Sequence, residues 1–184
     1  MTETENGGNR MSAKGFNAIA ELVARATPAT TWAVATPLTP VGFYPKSGPL
    51  PAVIEVRNQP ATWDKPGQTR QLMLSDGGSV IEHITNVEPL GFFAYNLTDF
   101  QKLFGRLVDH GRAEWTFTKD AGGTRIHWSY TFFPKRGGGL LLGAIVRLLW
   151  APYMRRVLPG IVTEVESHET GSQAHSNPNA WMSC

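Results

Sequence analysis

The sequence predicts an α+β domain in which a seven-stranded antiparallel sheet curves around a long C-terminal helix. Two glycine-rich turns, Asp76-Gly77-Gly78 and Asp120–Gly123, each separate two segments rich in β-branched and aromatic residues, as β-hairpins do. Apolar residues then recur at helical spacing between residues 140 and 167. A series of hairpins followed by one amphipathic helix is typical of a two-layer α+β domain with the helix lying across the sheet.

The first elements are a strand and a short helix. Residues 16–26 can form a strand, although their many alanines leave a helix open as an alternative. Thr27 and Pro28 predict a helix start, because threonine caps helices and proline suits their first turn. That helix should end before Pro37. The five prolines of residues 37–51 exclude a regular element from that segment.

The other six strands are predicted from alternation between turn residues. They span residues 52–58, 68–74, 79–88, 92–98, 110–119 and 124–134. In the first of these, Ile54 and Val56 should share one face, and Glu55 and Arg57 the other. Short connections between consecutive strands favour antiparallel pairing throughout.

The last element is a helix from Leu140 to about Ser167, preceded by three glycines. Its apolar stripe comprises Leu141, Ile145, Leu148, Leu149, Pro152, Val157, Ile161 and Val165. Pro152 and Pro159 should kink or break this helix, because each lacks the N–H that the helix needs and crowds the preceding turn.

Chain length and local composition predict one domain with two tails. The 184 residues fit a single domain, which should span residues 13–167. Residues 1–12 should form a disordered N-terminal tail and residues 168–184 a flexible C-terminal tail. Both are rich in polar residues and glycine and have little apolar surface to bury.

Charge and cysteine content exclude several classes of protein. The net charge is +2 and Lys and Arg form no cluster, so no nucleic-acid partner is expected. A single cysteine, Cys184, excludes an intramolecular disulfide framework. The most apolar segment, 140–150, contains Arg147 and is far shorter than the ~20 residues that span a bilayer. Without a signal peptide or an integral membrane segment, the sequence predicts a cytoplasmic protein.

Several short motifs together resemble a known superfamily. They are Gly67-Gln68-Thr69-Arg70, Ser75-Asp76-Gly77-Gly78, Val87-Glu88-Pro89, Tyr95, Trp115-Thr116-Phe117 and Gly123-Thr124-Arg125-Ile126-His127-Trp128. With the order of elements, they resemble the START/Bet v 1-like (SRPBCC) superfamily and its bacterial polyketide cyclase/dehydrase-like branch, over residues 12–167. The resemblance implies the helix-grip fold, with a ligand cavity between sheet and helix. It implies no particular reaction, because members of this superfamily bind lipids, sterols, quinones or polyketides and only some are enzymes.

Pairing across the Asp120–Gly123 turn predicts one aromatic and one polar face of the hairpin. The pairs of the aromatic face are Trp115 with Trp128, Phe117 with Ile126, and Ala113 with Tyr130. The other face receives charged and hydroxyl side chains, and His127 with them. An antiparallel sheet with one solvated face has this composition, so the aromatic face should line the cavity and His127 should face water.

The inward face of residues 79–98 is less clearly indicated, because both faces are mixed. We favour an inward set of Val80, Glu82, Ile84, Asn86, Phe93 and Tyr95, with Ile84 opposite Tyr95 and Asn86 opposite Phe93. Glu82 and Tyr95 would then form the polar end of an aromatic cavity and orient a ligand oxygen. In the alternative, His83 takes the inward place and Glu82 is solvated.

The favoured function is binding of a hydrophobic small molecule, lipid, polyketide or quinone-like, as a carrier or sensor. No catalytic motif, metal-ligand spacing or cofactor motif is found, so no catalytic residue, metal or cofactor is assigned. The candidate ligand-binding residues are Glu82, Tyr95, Trp115, Phe117, Trp128, Tyr130, Ile145 and Leu149. A polyketide cyclase/aromatase of dehydratase type is the alternative, and a protein-interaction module is the third. The oligomeric state is left open, a homodimer included.

Overall fold

The computed structural model describes residues 14–176, with side chains as far as residue 172. Seven antiparallel strands form a curved sheet in the order β1-β7-β6-β5-β4-β3-β2. The strands are β1 (Phe16–Ala24), β2 (Val53–Arg57), β3 (Thr69–Leu74), β4 (Ser79–Glu88), β5 (Phe92–Thr98), β6 (Val108–Asp120) and β7 (Gly123–Pro134). The helices are α1 (Pro28–Ala35), α2 (Lys102–Leu107), α3 (Gly139–Ile145) and α4 (Ala151–Ser176), with a π-helical turn (Val146–Trp150) between α3 and α4. The predicted fold class is confirmed.

The alanines of β1 mark where α4 lies closest to the sheet. Ala18, Ala20 and Ala24 are buried and are separated by even numbers of residues, so they lie on one face of a strand. This strand excludes the alternative helix. Ala18 and Ala20 stand opposite Tyr130 and Trp128 of β7, and α4 packs directly on β1. Small side chains in β1 therefore leave room for α4 beside the large aromatic rings of β7.

Helix α1 begins as its sequence predicts. Thr27 is the N-cap, with extended backbone angles, and its Oγ1 accepts a hydrogen bond from the Thr30 N–H at 3.2 Å. Pro28 occupies the first turn, where its missing N–H costs no helical hydrogen bond.

The C-terminal helical region continues through both of its prolines. The π-helical turn ends where the N–H of Ala151 donates to the carbonyl of Val146, directly before Pro152. This wider turn accommodates the proline ring, which would crowd a regular α-helical turn. Pro159 lies inside α4, so of the predicted kink or break the structure excludes the break. None of the described helices is long and apolar enough to cross a membrane.

Helix α4 also extends beyond its predicted end, to Ser176. The predicted helix end near Ser167 is therefore nine residues short. Two carboxylates hold this part of the helix to the segment after β1. Glu166 accepts a hydrogen bond from the Arg25 N–H at 2.8 Å, and Glu169 accepts one from the Thr27 N–H at 3.3 Å. The other tail residues, 1–12 and 177–184, lie outside the described residues.

Two strand registers differ from their predictions because of local irregularities. Ile84 pairs with Tyr95 as predicted, but a bulge follows and Asn86 pairs with Ala94 instead of Phe93. The extra residue turns Asn86 out to solvent. A similar irregularity after Val53 leaves Ile54 56% exposed, so the predicted apolar face of β2 is incomplete.

Candidate ligand-binding cavity

A cavity of about 140 Å³ lies between the concave face of the sheet, the C-terminal helix and the proline-rich segment 37–51. Most of its lining side chains are aliphatic or aromatic. The polar groups that line it include Arg70, Glu82 and the hydroxyls of Tyr44, Tyr95, Tyr130 and Tyr153, which are all the tyrosines of the chain. The composition is that of a site for an apolar molecule with a few polar contacts.

One wall of the cavity is formed by the aromatic face of the β6–β7 hairpin. Trp115 stands opposite Trp128, and their rings stack with centroids 4.7 Å apart. The predicted pairs Phe117 with Ile126 and Ala113 with Tyr130 are also present. The Tyr130 ring packs against Trp150 of the π-helical turn at 4.9 Å. This wall, which we call the aromatic wall, is rigid because each ring is held by others.

The wall on the other side, formed by β3 and β4, carries a buried ion pair. Arg70 and Glu82 stand opposite each other, and the Arg70 Nε donates to Glu82 Oε2 at 2.5 Å. Both residues are at most 5% exposed. Arg70 Nη1 also donates to Gln59 Oε1 at 3.2 Å and to the Leu38 carbonyl at 3.4 Å, and the guanidinium lies 4.5 Å from the centre of the Trp63 ring. We call β3 and β4 the charged wall.

The ion pair retains hydrogen-bonding capacity toward the cavity. Among the described residues, Arg70 Nη2 and Glu82 Oε1 have no hydrogen-bond partner within the chain. Neither atom is completely enclosed by protein, so a small polar group can reach it. Both residues line the cavity. One donor group and one acceptor oxygen are therefore free to bind a polar atom of a ligand or a water.

The tyrosine hydroxyls of the cavity remain protonated at neutral pH. Burial raises the pKa of Tyr95 far above its ordinary value, and the negative charge of Glu82 adds to this shift. Burial likewise raises the pKa of Tyr44 and of Tyr130 well above the ordinary value. Burial raises the pKa of Tyr153 to about 12, and its hydroxyl donates to the Pro45 carbonyl at 2.9 Å.

The cavity opens to solvent beside α2. Leu103 lines the cavity although 64% of it is exposed, and the exposed residues Pro49, Asp76 and Gln101 lie at the same opening. The opening is therefore formed by α2, the β3–β4 turn and the proline-rich segment.

Four of the eight predicted ligand-binding residues line this cavity: Glu82, Tyr95, Trp115 and Tyr130. The other four, Phe117, Trp128, Ile145 and Leu149, do not border it. Phe117 packs on Trp32, with ring centroids 5.6 Å apart, and Trp128 lies behind Trp115. Ile145 and Leu149 are partly buried, and Leu149 packs against the core.

The histidines considered from sequence lie outside the cavity. His83 follows the inward Glu82 and faces the other side of β4, where its Nε2 lies 2.9 Å from Thr98 Oγ1. His127 lies on the outer face of the sheet as predicted, 3.0 Å from a Glu21 carboxylate oxygen. No group of three His, Cys, Asp or Glu side chains within residues 14–172 is arranged to hold a metal ion.

Sequence reasoning missed Arg70, Tyr44, Trp150 and Tyr153. For Arg70 a signal was present, because Arg70, Leu72 and Leu74 occupy one face of β3 in alternation. For Tyr44 the signal was weaker: an aromatic residue within a proline-rich segment indicates only that the segment covers apolar surface. Trp150 reaches the cavity through the π-helical turn, which the sequence does not indicate.

Comparison with solved structures shows the same fold at low sequence identity. The structure of Ara h 8.0201 has a TM-score of 0.58 at 15% identity, over 86% of this chain and 99% of that chain. Protein CV1439 from Chromobacterium violaceum has a TM-score of 0.58 at 13% identity, over 82% of this chain and 96% of that chain. Ginseng major latex-like protein 151 from Panax ginseng has a TM-score of 0.56 at 10% identity, over 84% of this chain and 97% of that chain.

Comparison with curated protein sequences finds no match. Residues 20–166, in contrast, match the family described as polyketide cyclase / dehydrase and lipid transport. This range runs from β1 into α4 and so includes both walls of the cavity. The chain therefore belongs to that family, within the START/Bet v 1-like (SRPBCC) superfamily.

Proposed function

We propose that the chain binds a hydrophobic small molecule in the cavity, as a carrier or sensor, with a polar group of the ligand held at the charged wall. The observation that carries the proposal is the Arg70–Glu82 pair. It is buried in a cavity whose other lining side chains are mostly aliphatic or aromatic, yet keeps a donor group and an acceptor oxygen unused. A buried ion pair is a poor stabiliser compared with apolar side chains of similar size, so its presence favours a role in recognition.

The geometry suggests how such a ligand would lie. Its ring or chain would pack against Trp115 and Tyr130, and its oxygen would bind at Arg70, Glu82 and the hydroxyl of Tyr95. Phe117, Trp128, Ile145 and Leu149 would support these groups without touching the ligand. Since an apolar cavity of ~150 Å³ can hold benzene, the volume of about 140 Å³ fits a single ring. A larger lipid or polyketide requires α2 or the proline-rich segment to move outward.

Binding is tested by titration with a flavonol and with a dansyl-labelled fatty acid, followed by fluorescence. Tyr95→Phe should weaken flavonol binding about fivefold to tenfold, the effect of losing one hydrogen bond of ~1 kcal/mol or slightly more. The matched control is Tyr153→Phe, because its hydroxyl also lies in the cavity but is bound to the Pro45 carbonyl. Equal affinities of the wild type and Tyr95→Phe would contradict the proposed polar end.

Native mass spectrometry of the freshly purified chain provides a second test. A co-purified small molecule that is released on denaturation supports binding. Absence of any retained molecule, together with no saturable binding of either probe, would contradict the proposed function.

An enzyme of cyclase/dehydratase type is a second candidate, favoured by one observation. The Glu82 carboxylate and the Tyr95 phenol line the same cavity, so a base and a hydroxyl donor are both available to a folded substrate. Glu82 would take a proton from carbon next to a carbonyl, and Tyr95 would donate a hydrogen bond to the carbonyl oxygen. Saturable turnover of a polyketone that is lost in Glu82→Gln and retained in Tyr153→Phe would favour this candidate over the carrier.

A further inference from the structure

A row of leucines on α3 and the π-helical turn is exposed to solvent. Leu140 is 94% exposed, Leu141 55% and Leu148 68%, whereas Leu142 and Val146 on the opposite side are buried. The same helical segment is thus apolar on both sides. Its buried side packs in the core, and the exposed leucines take no part in that core.

Helix α2 brings a further exposed leucine to the same end of the molecule. Lys135, which follows β7, donates from its backbone N–H to the Leu107 carbonyl at 2.8 Å and from its Nζ to the Gly105 carbonyl at 2.6 Å. These bonds hold α2 next to the start of α3. Leu103 on α2 is 64% exposed and also lines the opening of the cavity. The helix that lines the opening therefore packs next to the helix that carries Leu140 and Leu141.

Every charged residue within the segments that carry these leucines is basic, and Asp76 lies beside Lys102 at the cavity opening. Residues 100–107 and 135–163 contain no Asp or Glu. Their basic residues, all exposed, are Lys102, Arg106, Lys135, Arg136, Arg147, Arg155 and Arg156. The whole chain has a net charge of only +2, so the other residues are net acidic. We call the surface of α2, the 135–138 connection, α3 and the π-helical turn, with its leucines and cations, the leucine–arginine face.

We propose that the leucine–arginine face docks on an anionic lipid surface, with its leucines among the headgroups and its cations on the lipid phosphates. Exposed leucines flanked by Lys and Arg have the composition of segments that lie in a membrane interface. Each basic residue near an anionic leaflet adds to the binding, and the apolar side chains add hydrophobic burial.

Charge argues against a second copy of the chain on this face. In a two-fold symmetric dimer the same patch meets itself, so the basic residues would oppose their own copies across the contact. Like charges at short distance repel, and no acidic residue of these segments offsets them. An anionic lipid surface instead complements both features of the face at once.

Docking in this orientation would turn the cavity opening toward the lipid, because Leu103 belongs to both. An apolar ligand could then pass between bilayer and cavity with little contact with water. Docking depends on the exposed leucines and cations and not on the cavity, so docking and ligand binding can be tested separately.

The test is flotation of the full chain with vesicles of phosphatidylcholine alone and of phosphatidylcholine mixed with phosphatidylglycerol. We expect binding to the anionic vesicles and a clear decrease when salt rises well above ~0.15 M, because screening weakens surface electrostatics. Arg136→Glu should lower the vesicle partition coefficient by about fivefold or more, and Leu148→Ser by about tenfold.

Matched controls lie at the other end of the sheet. Lys119→Glu reverses an exposed charge beside the β6–β7 turn, and Leu90→Ser removes an exposed leucine, 47% exposed, from the β4–β5 turn. Both should bind anionic vesicles as the wild type does. All four variants should bind the flavonol in solution normally, which separates docking from the function of the cavity.

Three results would overturn the proposal. The first is absence of binding to anionic vesicles, and the second is equal loss in the face and control variants. The third is a wild-type dimer in sedimentation equilibrium that becomes monomeric in Leu148→Ser, since the face would then be covered by a second copy.

Discussion

The two walls of the cavity are built by opposite means. The aromatic wall of β6 and β7 stacks rings on rings, and Trp128 at its back is fully buried. The charged wall of β3 and β4 places Arg70 and Glu82 among leucines and valines, equally removed from solvent. Aromatic burial stabilises the fold directly, whereas burial of two charges carries a desolvation penalty that offsets much of their mutual attraction. 

This difference indicates a division of roles. The aromatic wall supplies shape and stability, so its residues are required for folding even where they do not contact a ligand. The charged wall supplies direction, because a guanidinium and a carboxylate with unused hydrogen-bonding atoms can distinguish one end of a ligand from the other. Substitutions in the first wall should therefore act on folding, and matched substitutions in the second should act on folding only when they leave a charge unpaired.

The largest effect is expected in the aromatic wall. Trp128→Ala should lower the free energy of unfolding by about 3–5 kcal/mol, because it removes a fully buried indole that supports Trp115 and Tyr44. Trp115→Ala should cost less, since one side of Trp115 borders the cavity. Urea unfolding followed by circular dichroism measures both. Equal stability of wild type and Trp128→Ala would show that this wall is not part of the core.

The charged wall should respond to unpairing more than to loss of charge. Glu82→Leu leaves Arg70 without its carboxylate and should cost about 3 kcal/mol or more, the usual effect of breaking a buried pair. The double variant Arg70→Met with Glu82→Leu should recover most of this stability, because no charge remains buried. The same unfolding measurement serves here. A double variant no more stable than Glu82→Leu would mean that the pair itself holds the wall together.

Sequence patterns predict the two walls unequally well, for a physical reason. In β6 and β7 the inward positions from Ala113 to Phe117 and from Ile126 to Tyr130 are all apolar or aromatic, so the turn Asp120–Gly123 and the strand period suffice to pair Trp115 with Trp128. In β4 one inward position is Glu82, and alternation alone cannot separate a buried charge from a solvated one. The same pairing rule applied across Asp76-Gly77-Gly78 places Arg70 opposite Ile84. The observed loop is instead residues 75–77, closed by the bond from the Leu74 N–H to the Gly78 carbonyl, and this register brings Arg70 opposite Glu82.

Other features depend on contacts that no local pattern contains. The bulge after Ile84 and the π-helical turn before Pro152 each insert one residue into a regular ladder, and packing between elements decides where. Helix α4 runs to Ser176 through a polar sequence because Glu166 and Glu169 bind the backbone after β1. Those bonds join residues more than a hundred positions apart, so local composition does not indicate where this helix ends.

The smallest expected effect concerns Tyr153, whose side chain lies in the cavity but whose hydroxyl is committed to Pro45. Its pKa is about 12 in the folded chain, against about 10 when unfolded. Between these two pH values the folded state keeps the Tyr153 proton that the unfolded chain releases. The contribution of Tyr153 to the free energy of unfolding is therefore complete below pH ~10 and is lost as the pH rises toward ~12.

At neutral pH, Tyr153→Phe should lower the free energy of unfolding by about 1 kcal/mol, because the hydrogen bond is lost. At pH ~11 the wild type loses a similar amount of stability, because its unfolded state ionises Tyr153 and its folded state does not. The variant has no phenol at this position, so its free energy of unfolding should approach that of the wild type. Urea unfolding at both pH values measures the difference between the two chains. If the difference is the same at both pH values, the Tyr153 hydroxyl is not shielded from water in the folded chain. The cavity would then be more open on the side of α4 than on the side of either wall.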